Sequence, residues 1–297
     1  MNIRTAPRVS VVIPTYNHGH FLGRALKSLL DQSYSNWEAI VIDSQSTDNT
    51  DEVMEFFIDP RIKYLKTKII GVIAASRNVG IRAAKGEWIA FLDSDDWWKE
   101  NKLEVCFNYI NHQVDLVYHD MEIKYNKPGS FKRKKTKNRQ LKKPILTDLL
   151  LGNNAISNSS VVVRKKLLDK IGGLDERKEL VAVEDYHTWL RIAQLTDKFF
   201  YLPHSLGFYL KHDQNISRKD MSQPSKHAVS EFVEVLNPQQ QLKLEANLRY
   251  KSGYFNYSNF HYDEAKKDLF FVLKNGYNSL KIRSLIMIAI IIFKLYL

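Results

Sequence analysis

The chain has 297 residues, 44% hydrophobic and 26% charged, which excludes a disordered protein and leaves room for one large core plus an add-on. Its single cysteine, Cys106, rules out an intrachain disulfide and a cysteine-based zinc site; a small apolar helix residue in a reducing compartment is the expectation. Of the net charge of +11, much lies between Lys124 and Lys143, where half the residues are Lys or Arg: a solvated loop or a contact for an anionic surface.

No helix-turn-helix, zinc-finger or RNA-binding signature accompanies that run, so nucleic acid is not an expected partner. The N-terminus, MNIRTAPRVS, lacks the long apolar core of a secretion signal, and a cytoplasmic location is expected.

Residues 9–14, VSVVIP, and 37–43, WEAIVID, are unbroken apolar runs, as strands buried on both faces of a parallel sheet should be. Between them Phe21, Leu22, Ala25, Leu26, Leu29 and Leu30 recur at helical spacing behind Asn17, read as the N-cap, which makes a βαβ unit. A helix from about Thr50, a strand at IKYLKT, a helix through AASRNVGIRAAKG and a strand at EWIAFLD continue the alternation. This predicts an α/β fold, a mostly parallel Rossmann-like sheet flanked by helices. Helices follow at about 99–112 and at EDYHTWLRIAQL, and from about Ser225 the composition shifts to helix formers and tyrosines. The expected division is a domain over 1–224 and a helical appendage over 225–297.

Ligands in such sheets bind where the strands end. Here the ends carry Thr15-Tyr16-Asn17, Asp43-Ser44 and Asp93-Ser94-Asp95-Asp96, while G-x-G-x-x-G and P-loop signatures are absent. Neighbouring carboxylates repel, so the FLDSDDWW cluster should raise a pKa or bind a cation. Asp93 and Asp95, two apart at a strand end, can present oxygens to one Mg2+ or Mn2+ with its nucleotide, although an Asp-rich turn that merely caps the next helix has the same look. Trp97 and Trp98 either stack on a sugar or anchor the loop, with anchoring preferred, and Gly172-Gly173 read as a tight turn.

Taken together, VSVVIPTYN, VIDSQSTDNT, AASRNVGIRAAKGEWIAFLDSDDWW and VEDYHTWLRIA resemble glycosyltransferase family 2, inverting nucleotide-sugar enzymes of GT-A fold, over about residues 8–217. The resemblance implies that Thr15, Tyr16 and Asn17 line the nucleotide pocket, with Asp43 beside the base or ribose and Arg77 and Asn78 near the donor. It makes Asp93-Ser94-Asp95 the DxD motif, with Asp95 a ligand of Mn2+ or Mg2+ and Asp93 nearer the ribose or sugar. Glu184-Asp185 becomes the acidic pair whose second member is the catalytic base, and His212 matches a position able to reach the metal or diphosphate.

One departure is Ser44, where many members have a second acid, so a UDP-sugar is favoured without being fixed. The implied activity is metal-dependent sugar transfer to a glycan or lipid-linked acceptor in bacterial surface-polysaccharide synthesis. Two alternatives share the sheet: a sugar nucleotidyltransferase, which wants a glycine-rich, Arg-containing loop where this chain has PTYN, and a noncatalytic glycan-assembly scaffold, which could dispense with Asp95 and Asp185.

The last segment, 280–297, has nine successive apolar residues from Leu285 to Phe293, too few to cross a bilayer. Flanked by Lys281, Arg283 and Lys294, it reads as an interfacial helix on an anionic membrane or else as a closing helix packed on protein. The stretch before it has the spacing of a helical hairpin.

Overall fold

The computed structural model describes residues 7–125, 134–136, 138–213, 215 and 220–295, with side chains to 293. Of the basic run, 126–133 and 137 lie outside the described residues, as does the Lys294 side chain.

Four parallel strands, β1 (Val9–Thr15), β2 (Trp37–Asp43), β3 (Ile62–Lys66) and β4 (Trp88–Phe91), lie in the order β3-β2-β1-β4. Every residue of β1, β2 and β4 is buried, because helices cover both faces of the sheet. Strand periodicity divides them: Val12, Ile40, Ile42 and Phe91 enter one core, and Val11, Ile13, Val41 and Trp88 the other. The second core is closed by α1 (Gly19–Leu30), α2 (Thr50–Glu55) and α4 (Lys102–Tyr109), with Cys106 fully buried in α4 as expected. The first is closed by α3 (Ile73–Ala83), α5 (Ile145–Gly152), α6 (Lys165–Lys170) and α7 (Glu184–Ala193). Helix α3 comes so close to the sheet at Gly80 that a Cβ there would sit 2.7 Å from both Val12 and Ile42 side chains. The cap expected at Asn17 falls one residue later, on His18; Asn17 instead adopts φ 51° and accepts a hydrogen bond from the Thr47 amide at 2.7 Å.

Beyond β4 the sheet becomes mixed rather than mostly parallel. The short β8 (Val162–Arg164) runs antiparallel to β4 and pairs on its other side with β6 (Leu116–Tyr125). The chain enters β8 from a 3-10 turn, Asn158–Ser160, beside the carboxyl end of β4, and can only run back along it. The polar 3-10 turn ahead of β8 thereby joins the rim that holds Asp93. β9 (Phe199–Lys211) lies parallel to β6, with two register breaks: the first leaves out Pro203 and His204, where proline cannot donate to the ladder, and the second leaves out Leu206. β5 (Trp97–Trp98) clips onto β9, and β7 (Lys134–Lys135) onto β6.

The expected break at 224/225 falls inside α8 (Ser222–Ser230), whose Ala228 and Val229 belong to the main core. α9 (Pro238–Ser258) starts at a capping box of Asn237 and Gln240, with proline in its first turn. Leu244 joins the main core and Asn247 donates to the Leu151 carbonyl at 2.6 Å, so the helical region grows out of the sheet domain without a gap. α9 and α10 (Tyr262–Asn275) form the expected hairpin, and α11 (Asn278–Leu295) closes a small core of Ala265, Leu269, Met287, Ile288 and Ile291.

Candidate active site

β1, β2 and β4 are adjacent and parallel, so their carboxyl ends share one rim. At the first end Thr15 is buried with its hydroxyl unpartnered, Tyr16 is exposed, and the Asn17 amide donates to Ser46 Oγ at 2.8 Å. At the second, buried Asp43 accepts from the Ser46 amide at 3.0 Å and hydroxyl at 2.6 Å, and its other oxygen lies 3.0 Å from the Tyr64 hydroxyl. Ser44 is buried, its hydroxyl paired with that of Ser76 at 2.7 Å.

The acidic turn after β4 gives each carboxylate a different environment. Asp93 accepts from Arg77 Nη2 at 2.7 Å and Asn158 Nδ2 at 3.0 Å, and its amide donates to Ser159 Oγ at 3.0 Å. Ser94 Oγ is 2.9 Å from His18 Nδ1. Asp95 Oδ2 is 2.9 Å from His212 Nε2 and 3.5 Å from Asn215 Nδ2. Asp96 is withdrawn from the cluster: it is buried and accepts from the Leu210 amide at 3.0 Å. Burial, then Asp95 and Asp93, push its pKa well above the carboxylate range. The repulsion is thus relieved by pairing Asp93, facing Asp95 with an imidazole and taking Asp96 toward its neutral form.

The tryptophans anchor this turn. Trp98 is buried and its indole N–H donates to the Ser159 carbonyl at 2.7 Å. Trp97 stacks on Phe208 at 4.9 Å while the Arg24 guanidinium lies 3.7 Å from its ring centre and donates to the Asp95 carbonyl at 2.9 Å. Those contacts occupy the ring faces a sugar would need.

Arg77 is buried and joins the turn to the start of α7. Its Nη1 donates to Glu184 Oε1 at 2.5 Å, while Nη2 holds Asp93. Burial lowers the guanidinium pKa, but Asp93 and Glu184 outweigh it, and the net shift is upward. Next along α7, half-buried Asp185 accepts from the Tyr186 amide at 2.6 Å and Asn154 Nδ2 at 3.3 Å. Burial, followed by the neighbouring Glu184, pushes its pKa up to about 7. Asn78 is committed elsewhere: its amide group pairs with both backbone groups of Leu174 at 2.8 Å and donates to Glu176 at 2.8 Å. It tethers the Gly172-Gly173 turn, whose φ values of 74° and 84° suit glycine.

The structure therefore brings Asp93, Ser94, Asp95, His212, Arg77, Glu184 and Asp185 into one connected system. Sequence reasoning missed His18, Arg24, Asn154, Asn158, Ser159 and Asn215. Polar NNAISNSS beside the apolar VVV was a signal for three of them. The Asp95 carboxylate and the His212 imidazole, 117 residues apart in sequence, approach one point and offer an oxygen and a nitrogen. That donor pair fits a divalent ion.

The sequence profile described as Glycosyl transferase family 2 matches residues 10–172, more than half of the chain. The chain belongs to glycosyltransferase family 2. Among relatives of this family 2 glycosyltransferase, the Escherichia coli UDP-Glc:alpha-D-GlcNAc-diphosphoundecaprenol beta-1,3-glucosyltransferase WfgD is 35% identical over 189 residues, 63% of this chain and 70% of WfgD. TarS of S. aureus, solved with UDP-GlcNAc, superposes with a TM-score of 0.67 at 19% identity, covering 90% of this chain and 81% of its own. The Pyrobaculum calidifontis mannosyltransferase PcManGT, solved with GDP-Man and Mn2+, gives 0.62 at 18% identity, covering 98% and 82%. At such identities the two structures speak for the fold, and the α/β GT-A architecture with a helical C-terminal region holds for this glycosyltransferase.

Proposed function

We propose that this enzyme transfers a sugar, with inversion, from a UDP-sugar to a hydroxyl of a lipid-linked glycan, in bacterial surface-polysaccharide assembly at the cytoplasmic face of the membrane. The observation that carries the reading is the ion-pair chain Asp93–Arg77–Glu184, which fixes the acidic turn to the helix start bearing Asp185. The Asp185 carboxylate takes the proton of the acceptor hydroxyl as its oxygen attacks the anomeric carbon, and the bond to the diphosphate breaks on the opposite face. Asp95 and His212 would hold the divalent ion, which when bound supplies positive charge for the leaving diphosphate. Asp93, Ser94, Thr15, Tyr16, Asn17, Asp43 and Ser44 ring the donor position on the strand ends, and the Arg77 ion pair holds the Asp93 carboxylate in place there. Asn78 supports the site from behind through the glycine turn.

UDP-sugars are named in the WfgD description and bound in TarS, which supports uridine for this chain. The donor is tested by thermal denaturation with Mn2+ and a panel of nucleotide sugars. A UDP-sugar at about 100 times its Kd should add about 2.7 kcal/mol. Stabilisation by GDP- or dTDP-sugars in its place would reassign the base, and no stabilisation by any would remove the donor site. Product NMR decides inversion: an α-linked donor must give a β-linkage.

WfgD acts on an undecaprenol-linked sugar, and α11 carries a surface suited to such a lipid's surroundings. No helix among the described residues is long and apolar enough to cross a membrane. While Met287, Ile288 and Ile291 face the small core, Ile282, Leu285, Ile286, Ile290 and Phe293 recur at helical spacing on the exposed side, with Lys281 and Arg283 at the near end. Wild type should co-sediment with vesicles containing anionic lipid, and Ile286→Glu with Phe293→Glu should release it. Retention by the double variant, or dimerisation through this face, would assign the stripe to protein contact.

A further inference from the structure

We propose that Asp175, His187 and Glu231 form a second divalent-metal site, of zinc type, distinct from the Asp95–His212 pair. Three elements contribute: the segment after α6 gives Asp175, the second turn of α7 gives His187, and the end of α8 gives Glu231. One ligand atom from each lies within 4.8 Å of the others.

His187 points to a ligand independently of the acids. It is fully buried, yet neither ring nitrogen makes a well-formed hydrogen bond. An unmet buried polar group costs about 1–3 kcal/mol, which a core position does not keep without reason. The nearest oxygens are Glu231 Oε2, 3.5 Å from Nε2, and Asp175 Oδ2, 4.0 Å from Nδ1. Both are long for hydrogen bonds. Two ligands about 2.0–2.2 Å from a tetrahedral zinc ion stand roughly 3.4 Å apart, which is the Nε2-to-Glu231 spacing.

Charge favours a dication. Arg177 now lies between the carboxylates, its Nη2 2.7 Å from Asp175 and 2.5 Å from Glu231. One positive charge against two negative ones leaves the group at net minus one; a divalent ion in its place brings it to zero. Arg177 is half exposed, so a dication that takes its place would displace it outward, after which the Asp175 carboxylate can turn to the ion. Imidazole with carboxylates suits zinc, which binds ahead of manganese in the usual order of affinities. His187 follows Glu184 by one helical turn, so the ion would clamp the start of α7 to α8 and to the Asp175 segment.

The test is zinc titration calorimetry on the full chain, paired with Co2+ absorption spectra, for wild type, Asp95→Asn, His187→Asn, Glu231→Gln and Arg177→Ala. Wild type and Asp95→Asn should share one zinc site that weakens at least about tenfold in His187→Asn and in Glu231→Gln. Glu231 is surface-exposed, so that variant keeps the test valid where His187→Asn misfolds. Arg177→Ala removes the competing cation and should tighten zinc binding. Zinc affinity indifferent to Glu231→Gln, lost with Asp95→Asn, or weakened by Arg177→Ala would overturn the site and leave an ordinary ion-pair cluster.

Discussion

Asp185→Asn should bind donor as wild type does and turn over at least about 100-fold more slowly, the lower end of what a positioned general base contributes. The substitution preserves size, and an amide oxygen can still accept from the Tyr186 N–H that now reaches Asp185 at 2.6 Å. What it removes is the basic oxygen that Asn154 approaches at 3.3 Å. The comparison is kcat from initial rates at saturating donor and acceptor, with donor affinity measured separately. Turnover within about threefold of wild type would take Asp185 out of the base role.

The same residue sets a pH dependence. Its carboxyl is pushed up to about 7 by burial and by Glu184, so below that pH the proton-accepting form is the minority species. kcat/KM should therefore fall about tenfold per unit of pH on the acid side of 7 and level off above it. In Asp185→Asn that limb should vanish from the residual activity. A wild-type limb near 4 would place the base in a solvated carboxylate instead.

Much of this arrangement is legible in the sequence because it depends on short-range pattern. Strands buried on both faces are predominantly apolar, so VSVVIP and WEAIVID identify β1 and β2, and the helical spacing of Phe21 to Leu29 identifies α1. Parallel order then puts Thr15, Asp43 and Asp93 on one rim. Features fixed by distant contacts were not legible. The reversal at β8 depends on pairing Ala90 with Val162, and the clip of Trp97 onto Phe208 joins segments more than a hundred residues apart. His18 reaches Ser94 across 76 residues, a relation no local pattern encodes. The helical region shows the same limit: composition changes near Ser225, while packing changes within α9, where Leu244 still joins the main core and Tyr250 and Tyr257 pack on the small one.

The largest stability effect is expected from Arg77→Met. Its guanidinium is buried between Asp93 and Glu184, of which Glu184 is itself buried. Methionine fills most of the volume but leaves both carboxylates without a countercharge, and breaking such a pair from one side costs about 3–5 kcal/mol. Part of that cost lies in Glu184 alone, whose Oε2 already lacks a partner, so Arg77→Met combined with Glu184→Leu should recover stability relative to Arg77→Met. Arg77→Lys should fall between, because one ammonium retains the charge but cannot span two carboxylates as the planar fork does. Urea denaturation of wild type, Arg77→Met, Glu184→Leu and the double variant at one pH gives the cycle, with Arg77→Lys measured alongside. If Arg77→Met shifted the unfolding free energy by no more than about 0.5 kcal/mol, as a surface change does, the chain of charges would not hold the acidic turn against α7. The position of Asp93 would then have to come from Asn158 and Ser159 alone, on the turn that β8 brings to the rim.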